Sequence, residues 1–139
     1  MFVLDTNIIS ELRKAGTPRL NPGVAAWAQS VSPHQLFLSA ITVMELEMGV
    51  LAKERSDPAQ GAILRLWLDG SVIPAFASRI LPVDERVAIA CARMHVPNRK
   101  AERDALIAAT ASVRSMVLVT RNTADFEGTG VPVLNPWAD

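Results

Sequence analysis

Short runs of apolar residues alternate along the chain with longer stretches in which apolar positions recur every three or four residues. Phe2-Val3-Leu4, Leu36-Phe37-Leu38-Ser39, Ile80 to Val83, Val117-Leu118-Val119-Thr120 and Val133-Leu134 read as buried strands. Between them lie helical stretches: Asn7 to Lys14, Val24 to Ser30, about Val43 to Lys53, Asp57 to about Val72, Asp84 to about His95, and about Ala101 to Arg114. The punctuation agrees with this reading. Gly16, Pro18, Asn21 and Pro22 mark a loop, Pro74 and Pro97-Asn98 end helices, and Arg121 to Gly130 reads as a loop. Asp57-Pro58-Ala59-Gln60 is a helix start, with an acidic cap, proline at the first helical position and Gln three residues after the cap.

Strands alternating with helices predict an α/β domain, its mainly parallel sheet covered on both faces. Residues 1–139 amount to one such domain, without repeats, linkers or low-complexity segments. Sheets of this kind put their active sites at the carboxyl ends of the strands. Asp5 closes the first strand, Glu45 begins the helix after the second, and Asp125 lies in the loop after the fourth, so all three share one edge. Asp104 sits early in the helix leading into the fourth strand, and spacing alone leaves its edge open. Its neighbours at i+3, i+4 and i+7 are Ile107, Ala108 and Ala111. A carboxylate on such an apolar face must be paired, hydrogen-bonded or bound to metal.

Each acid also has a structural reading of its own. Asp5 could cap the first helix, and Glu45 follows Thr42 at capping-box spacing. Asp104 could pair with Arg99, Lys100 or Arg103, and Asp125 could shape its loop through an Asx-turn. Glu47 points away from Glu45 and reads as a solvated charge. The weight lies in the convergence of four acids. An all-oxygen cluster selects a hard cation, Mg²⁺ or Mn²⁺, over zinc, and His34 and His95 lack metal-ligand spacing. Such a cation in a carboxylate cage mainly serves phosphoryl chemistry.

Composition adjusts this picture only slightly. Half of the residues are hydrophobic, which excludes general disorder, and the single cysteine, Cys91, excludes an internal disulfide and suits a cytoplasmic setting. Cys91 itself reads as a small buried hydrophobe. No targeting segment is visible, and the longest charge-free run, Leu20 to Met44, is interrupted by Pro22, Pro33 and His34, so a soluble protein is expected. The formal charge is zero, which at first argues against a nucleic-acid partner. Setting four acids aside as metal ligands leaves a basic excess over the rest of the chain.

Four segments in order resemble the PIN-domain ribonucleases, in particular the VapC-type toxins of bacterial toxin–antitoxin pairs. They are Leu4-Asp5-Thr6-Asn7, Ser39-Ala40-Ile41-Thr42-Val43-Met44-Glu45-Leu46, the run from Asp104 to Ala111, and Thr120-Arg121-Asn122-Thr123-Ala124-Asp125-Phe126. The ending Asn135-Pro136-Trp137 is similar to the FitB branch of that group. The resemblance implies a parallel sheet of order 3-2-1-4-5, a homodimer, and a metal site of Asp5, Glu45, Asp104 and Asp125 holding one or two Mg²⁺ or Mn²⁺ ions. It implies that Asn7, Thr120 and Asn122 support the site, and that the substrate is unpaired RNA, hydrolysed by in-line attack of an activated water. Arg99, Lys100, Arg103 and Arg121 are candidates for phosphate contacts. The stretch before Asp104 is more charged than the family pattern.

The same resemblance implies a partner: an antitoxin, a small DNA-binding protein that inhibits through an amphipathic helix. Ala62 to Val72 is apolar on two sides, with Leu64, Trp67 and Leu68 on one and Ile63, Leu66 and Ile73 on another. That pattern fits a groove for such a helix, a helix buried between neighbours, or a dimer contact. Three other functions compete. A phospho-acceptor signalling domain requires a Lys where Thr120 stands, and an aspartyl phosphatase requires a second Asp where Asn7 stands. A catalytically silent module would have no need for four acids.

Overall fold

The computed structural model describes residues 1–138, and the last residue of the expected 1–139 domain lies outside them. Strand β1 (Phe2–Leu4) is the centre of a five-stranded sheet in the order β3-β2-β1-β4-β5, with every pair parallel. The others are β2 (Leu36–Ser39), β3 (Ile80–Leu81), β4 (Val117–Val119) and β5 (Val133–Leu134). The sheet order is the one that the resemblance implies. Val3 and Leu4 are both fully buried, on opposite faces, as the two-residue period of a strand requires.

Helices α1 (Thr6–Leu12), α2 (Pro22–Ser30), α3 (Ala40–Ser56) and α4 (Pro58–Trp67) belong to the Leu4 face, where Ile8, Leu38, Leu46, Val50 and Val119 form the core. On the Val3 face lies α7 (Glu102–Val113), whose Ile107, Ala108 and Ala111 pack with Leu118 and Phe126. Its other side, through Ala105 and Ala109, meets Val87 and Cys91 of α6 (Glu85–Met94). A helix buried on two sides has to be apolar nearly all round, and alanines let it lie close to the sheet. Ser115 adopts a left-handed backbone, and Met116 N–H bonds to Ala111 O at 3.0 Å, a Schellman end that turns α7 directly into β4.

Several boundaries differ from the sequence reading. Helix α3 begins at Ala40 because the Ser39 hydroxyl accepts from Ile41 N–H at 3.0 Å and caps it. The Thr42–Glu45 capping box therefore does not form. Pro22 opens α2, with Asn21 as its cap, and does not belong to the preceding loop. Strand β3 stops at Leu81, since its neighbour β2 turns into α3 after Ser39 and Pro82 has no N–H to donate. The helix begun by α4 does not end before Pro74. It widens into a π-helical segment, Leu68–Val72, and continues as α5 (Ile73–Ala75), the wider turn making room for the proline ring. Glu47 is paired, not free: Arg65 of α4 reaches its two oxygens at 2.7 and 2.9 Å and Glu54 at 3.0 Å. Ile73 packs against the core, so the exposed apolar side of α4 consists of Ile63 and Leu66.

Close packing of α3 on α4 makes a prediction. Gly61 is buried where the helices cross, and a Cβ there would lie 2.6 Å from the Glu54 backbone nitrogen. Gly61→Ala is expected to destabilise by about 1–3 kcal/mol, because the obstacle is main chain that cannot rotate away. Urea titration of both proteins measures it, and an unchanged midpoint would contradict it. No helix of the described residues is long and apolar enough to cross a membrane.

Candidate functional site

The register sets the geometry. Leu4 pairs with Val119, so the residues that follow them, Asp5 and Thr120, leave the sheet side by side. Asp5 N–H donates to Val119 O at 2.9 Å, and the Thr120 hydroxyl donates to Asp5 Oδ2 at 2.8 Å. Asp5 Oδ1 accepts from Thr6 N–H at 2.8 Å and caps α1. Asn7 Nδ2 reaches both Thr120 Oγ1 (3.2 Å) and Asp5 Oδ2 (3.4 Å), while Asn122 N–H donates to Thr120 Oγ1 at 3.1 Å. Asp5, with 6% of its surface exposed, is thus a cap and a member of the cluster at once, and the three supporting residues surround it.

Glu45, one turn into α3, accepts from the Thr6 hydroxyl at 2.6 Å. Asp104 lies in the first turn of α7, where the helix dipole favours its charge. Among the described residues Asp104 has no ion pair, and Arg103 turns to Glu45 at 3.6 Å. Asp5, Glu45 and Asp104 line one open cleft of about 530 Å³, together with Asn7, Arg121 and Asn122. The edge of Asp104, open on spacing, is therefore that of Asp5. Asp125 sits exposed in a short 3₁₀ turn (Thr123–Phe126) after β4, outside the cleft wall but close enough for its charge to act on both Asp5 and Asp104.

The electrostatics record this crowding. Burial holds the Asp5 carboxyl above the usual aspartate range, and Glu45 and Asp125 add to the effect against hydrogen bonds from Thr120 and Thr6. Burial also raises Asp104, reinforced by Asp5, Asp125 and Glu45 and only partly offset by Arg103. As they lie, no three of these groups among the described residues converge into a ready coordination shell, since Asp5 and Glu45 face their hydroxyl and amide partners. The donor set still fits a hard divalent ion: every donor is a carboxylate oxygen, and like charges are held together with one arginine against them.

The candidate phosphate contacts divide. Arg121 lines the cleft, and Arg103 stands beside Glu45. Arg99 and Lys100 lie outside it on the loop before α7, where Lys100 N–H donates to His95 Nδ1 at 3.0 Å. Sequence reading missed Arg13, Lys14 and Trp137 on the cleft wall. The spacing of Asn7, Ser10, Glu11 and Lys14 on one helical face is a usable signal for Lys14, whereas Arg13 lies off that face and nothing periodic announces Trp137.

Residues 2–131 match the PIN domain family. The toxin FitB of Neisseria gonorrhoeae is 40% identical to the chain, covering all of both proteins. A VapC ribonuclease, Y4jK of Sinorhizobium fredii, is 38% identical, over 99% of this chain and 98% of that protein. The crystal structure of FitAcB from Neisseria gonorrhoeae superposes with a TM-score of 0.87 at 38% identity, covering all of both chains. The matched family, the shared fold and the full-length relatives agree, and the chain belongs to the PIN-domain family.

Proposed function

We propose that the chain is a metal-dependent endoribonuclease and the toxin of a type II toxin–antitoxin pair. The observation that carries this reading is the gathering of Asp5, Glu45 and Asp104 from three separate elements in one cleft, with the charge of Asp125 acting on Asp5 and Asp104. The toxin and ribonuclease names of the full-length relatives support it. Asp5, Glu45 and Asp104 would hold a Mg²⁺ or Mn²⁺ ion, and Asp125 would serve a second ion or the attacking water. Such an ion, when bound, activates water, neutralises the phosphate and stabilises the leaving oxygen.

The chain's own groups do the rest. Thr120, Asn7 and the Thr6 amide hold Asp5, and the Thr6 hydroxyl holds Glu45, so each acid is kept at the cleft, and binding an ion would turn carboxylate oxygens from these partners towards it. Arg121 on the cleft wall would supply positive charge to the substrate, and Arg103 beside Glu45 partly offsets the acidic charge. A toxin kept in a living cell requires a neutralising partner. An amphipathic antitoxin helix would draw its apolar contacts from exposed side chains such as Met44, Met48 and Leu51 of α3 or Ile63 and Leu66 of α4. The same family reading makes the chain a homodimer.

Purified, partner-free protein is expected to cut unstructured labelled RNA in Mg²⁺ or Mn²⁺, to stop in EDTA, and to resume when the ion is restored. Cleavage that persists in EDTA would overturn the metal requirement. Failure on unpaired RNA, tRNA and ribosomal fragments alike would overturn the enzyme and leave a binding module.

A further inference from the structure

Trp137 reaches the wall of the carboxylate cleft from the end of the chain. Its ring is half-buried against the core of the Leu4 face, and the Arg121 guanidinium lies over it at 5.4 Å. The segment that carries it is tied down on both sides. Asn135 Oδ1 accepts from Trp137 N–H at 3.0 Å, and Asn21 exchanges hydrogen bonds of 2.9 and 2.7 Å with the backbone of Ala138. Asn21 is held in turn by Glu11, whose Oε2 accepts its N–H at 2.9 Å. The other Glu11 oxygen takes Lys14 Nζ at 3.0 Å, so one buried carboxylate anchors both the loop and a cation of the cleft wall.

Arg121 is fixed from the opposite side. Its backbone N–H donates to Asn7 Oδ1 at 3.2 Å, and Asn7 also touches Asp5. The main chain that carries Arg121 therefore has a set position relative to the acidic cluster, and the indole is the contact shown for its guanidinium. Packing accounts for the buried edge of the ring but not for a cation stacked on it at a cleft mouth. With Arg13 and Lys14 on the same wall, the acidic floor has a basic rim on one side.

We propose that the Arg121–Trp137 stack seats an unpaired nucleobase next to the phosphate at the carboxylate cluster, with Arg13 and Lys14 binding neighbouring phosphates. The proposal rests on the ribonuclease reading above. Every base has a face that stacks on an aromatic ring or a guanidinium plane, and a base within a duplex cannot present it. The stack thus selects single strands without selecting sequence, and the rim gives the backbone its direction across the site.

The test compares full-length wild type, Trp137→Phe and Trp137→Leu on oligoadenylate and oligouridylate in Mn²⁺, with circular dichroism and thermal melts as folding controls. Trp137→Leu is expected to raise KM on oligoadenylate by about tenfold with kcat little changed, the size of one lost base stack. The loss should be smaller on oligouridylate, whose bases stack more weakly, and Trp137→Phe should keep most of the wild-type KM. A folded Trp137→Leu with unchanged KM would overturn the proposal and leave the ribonuclease standing. So would an equal loss in both variants, or a loss confined to kcat, since either marks a structural role. Wild type that cleaves neither RNA, nor any other, would remove the ribonuclease reading and this proposal with it.

Discussion

Asp104→Asn is expected to lose nearly all RNA cleavage while folding into a metal-free protein more stable than the wild type. The two effects have one cause. Asp104 stands in the first turn of α7 with the apolar Ile107 and Ala108 beyond it, and burial together with Asp5, Asp125 and Glu45 opposes its charge. Asparagine keeps the shape and removes one negative charge from that group. It breaks no hydrogen bond of the Asp104 side chain among the described residues, which Asp5→Asn would do at Thr120. The repulsion relieved should raise the melting temperature by a few degrees in EDTA. Removing a ligand charge from an ion that stabilises a phosphoryl transition state costs roughly 3–5 kcal/mol, or about 10²–10⁴-fold in kcat/KM. Cleavage assays and thermal melts with and without Mn²⁺ measure both. A variant that is inactive because it is unfolded would melt lower, and one that stays active would remove Asp104 from the machinery.

This opposition of stability and activity explains which parts of the site could be read in advance. An apolar run that ends on Asp5, or an acid beside Ile107, Ala108 and Ala111, conflicts with local folding preference, and such conflicts mark functional positions. The element sequence was legible for the same reason that buried parallel strands are short and uniformly apolar. The sheet order was not, because nothing in periodicity tells β1 to lie between β2 and β4, and it came from resemblance alone. Boundaries slipped where one local contact decided them, such as the Ser39 cap of α3 or the lack of a partner for β3 beyond Leu81. Partners made only by folding stayed hidden. Arg65 meets Glu47 across the α3–α4 hairpin, and Trp137 reaches the cleft through Asn21, at the far end of the sequence. Arg99 and Lys100 are close to Asp104 in sequence, yet they lie on the loop before α7 and outside the cleft wall.

The carboxylates also make metal binding and stability run in opposite directions with pH. Asp5 and Asp104 both have folded-state values above the ordinary aspartate range. The folded protein therefore binds protons more readily at these groups than the unfolded chain does. Their contribution to metal-free stability grows as pH falls through the raised values and is lost as pH rises past them. Glu11 behaves oppositely, because the Asn21 N–H and Lys14 hold its carboxyl below the usual range, and its contribution disappears only at lower pH. In EDTA the stability advantage of Asp104→Asn over wild type should thus be largest near neutrality and shrink on acidification, before the Glu11 anchor titrates. Metal affinity follows the reverse course, since an ion must displace any proton from its ligands. At subsaturating Mn²⁺, affinity and cleavage should fall by up to about tenfold per pH unit for each proton displaced. The fall begins above the range of a free aspartate. Calorimetric Mn²⁺ titrations at several pH values, beside melts of the two proteins in EDTA, measure both courses. A pH-independent affinity across that range would mean that Asp5 and Asp104 do not hold the ion. An Asp104→Asn advantage that stays constant on acidification would mean that the mutual repulsion of the acids is not what separates the two proteins.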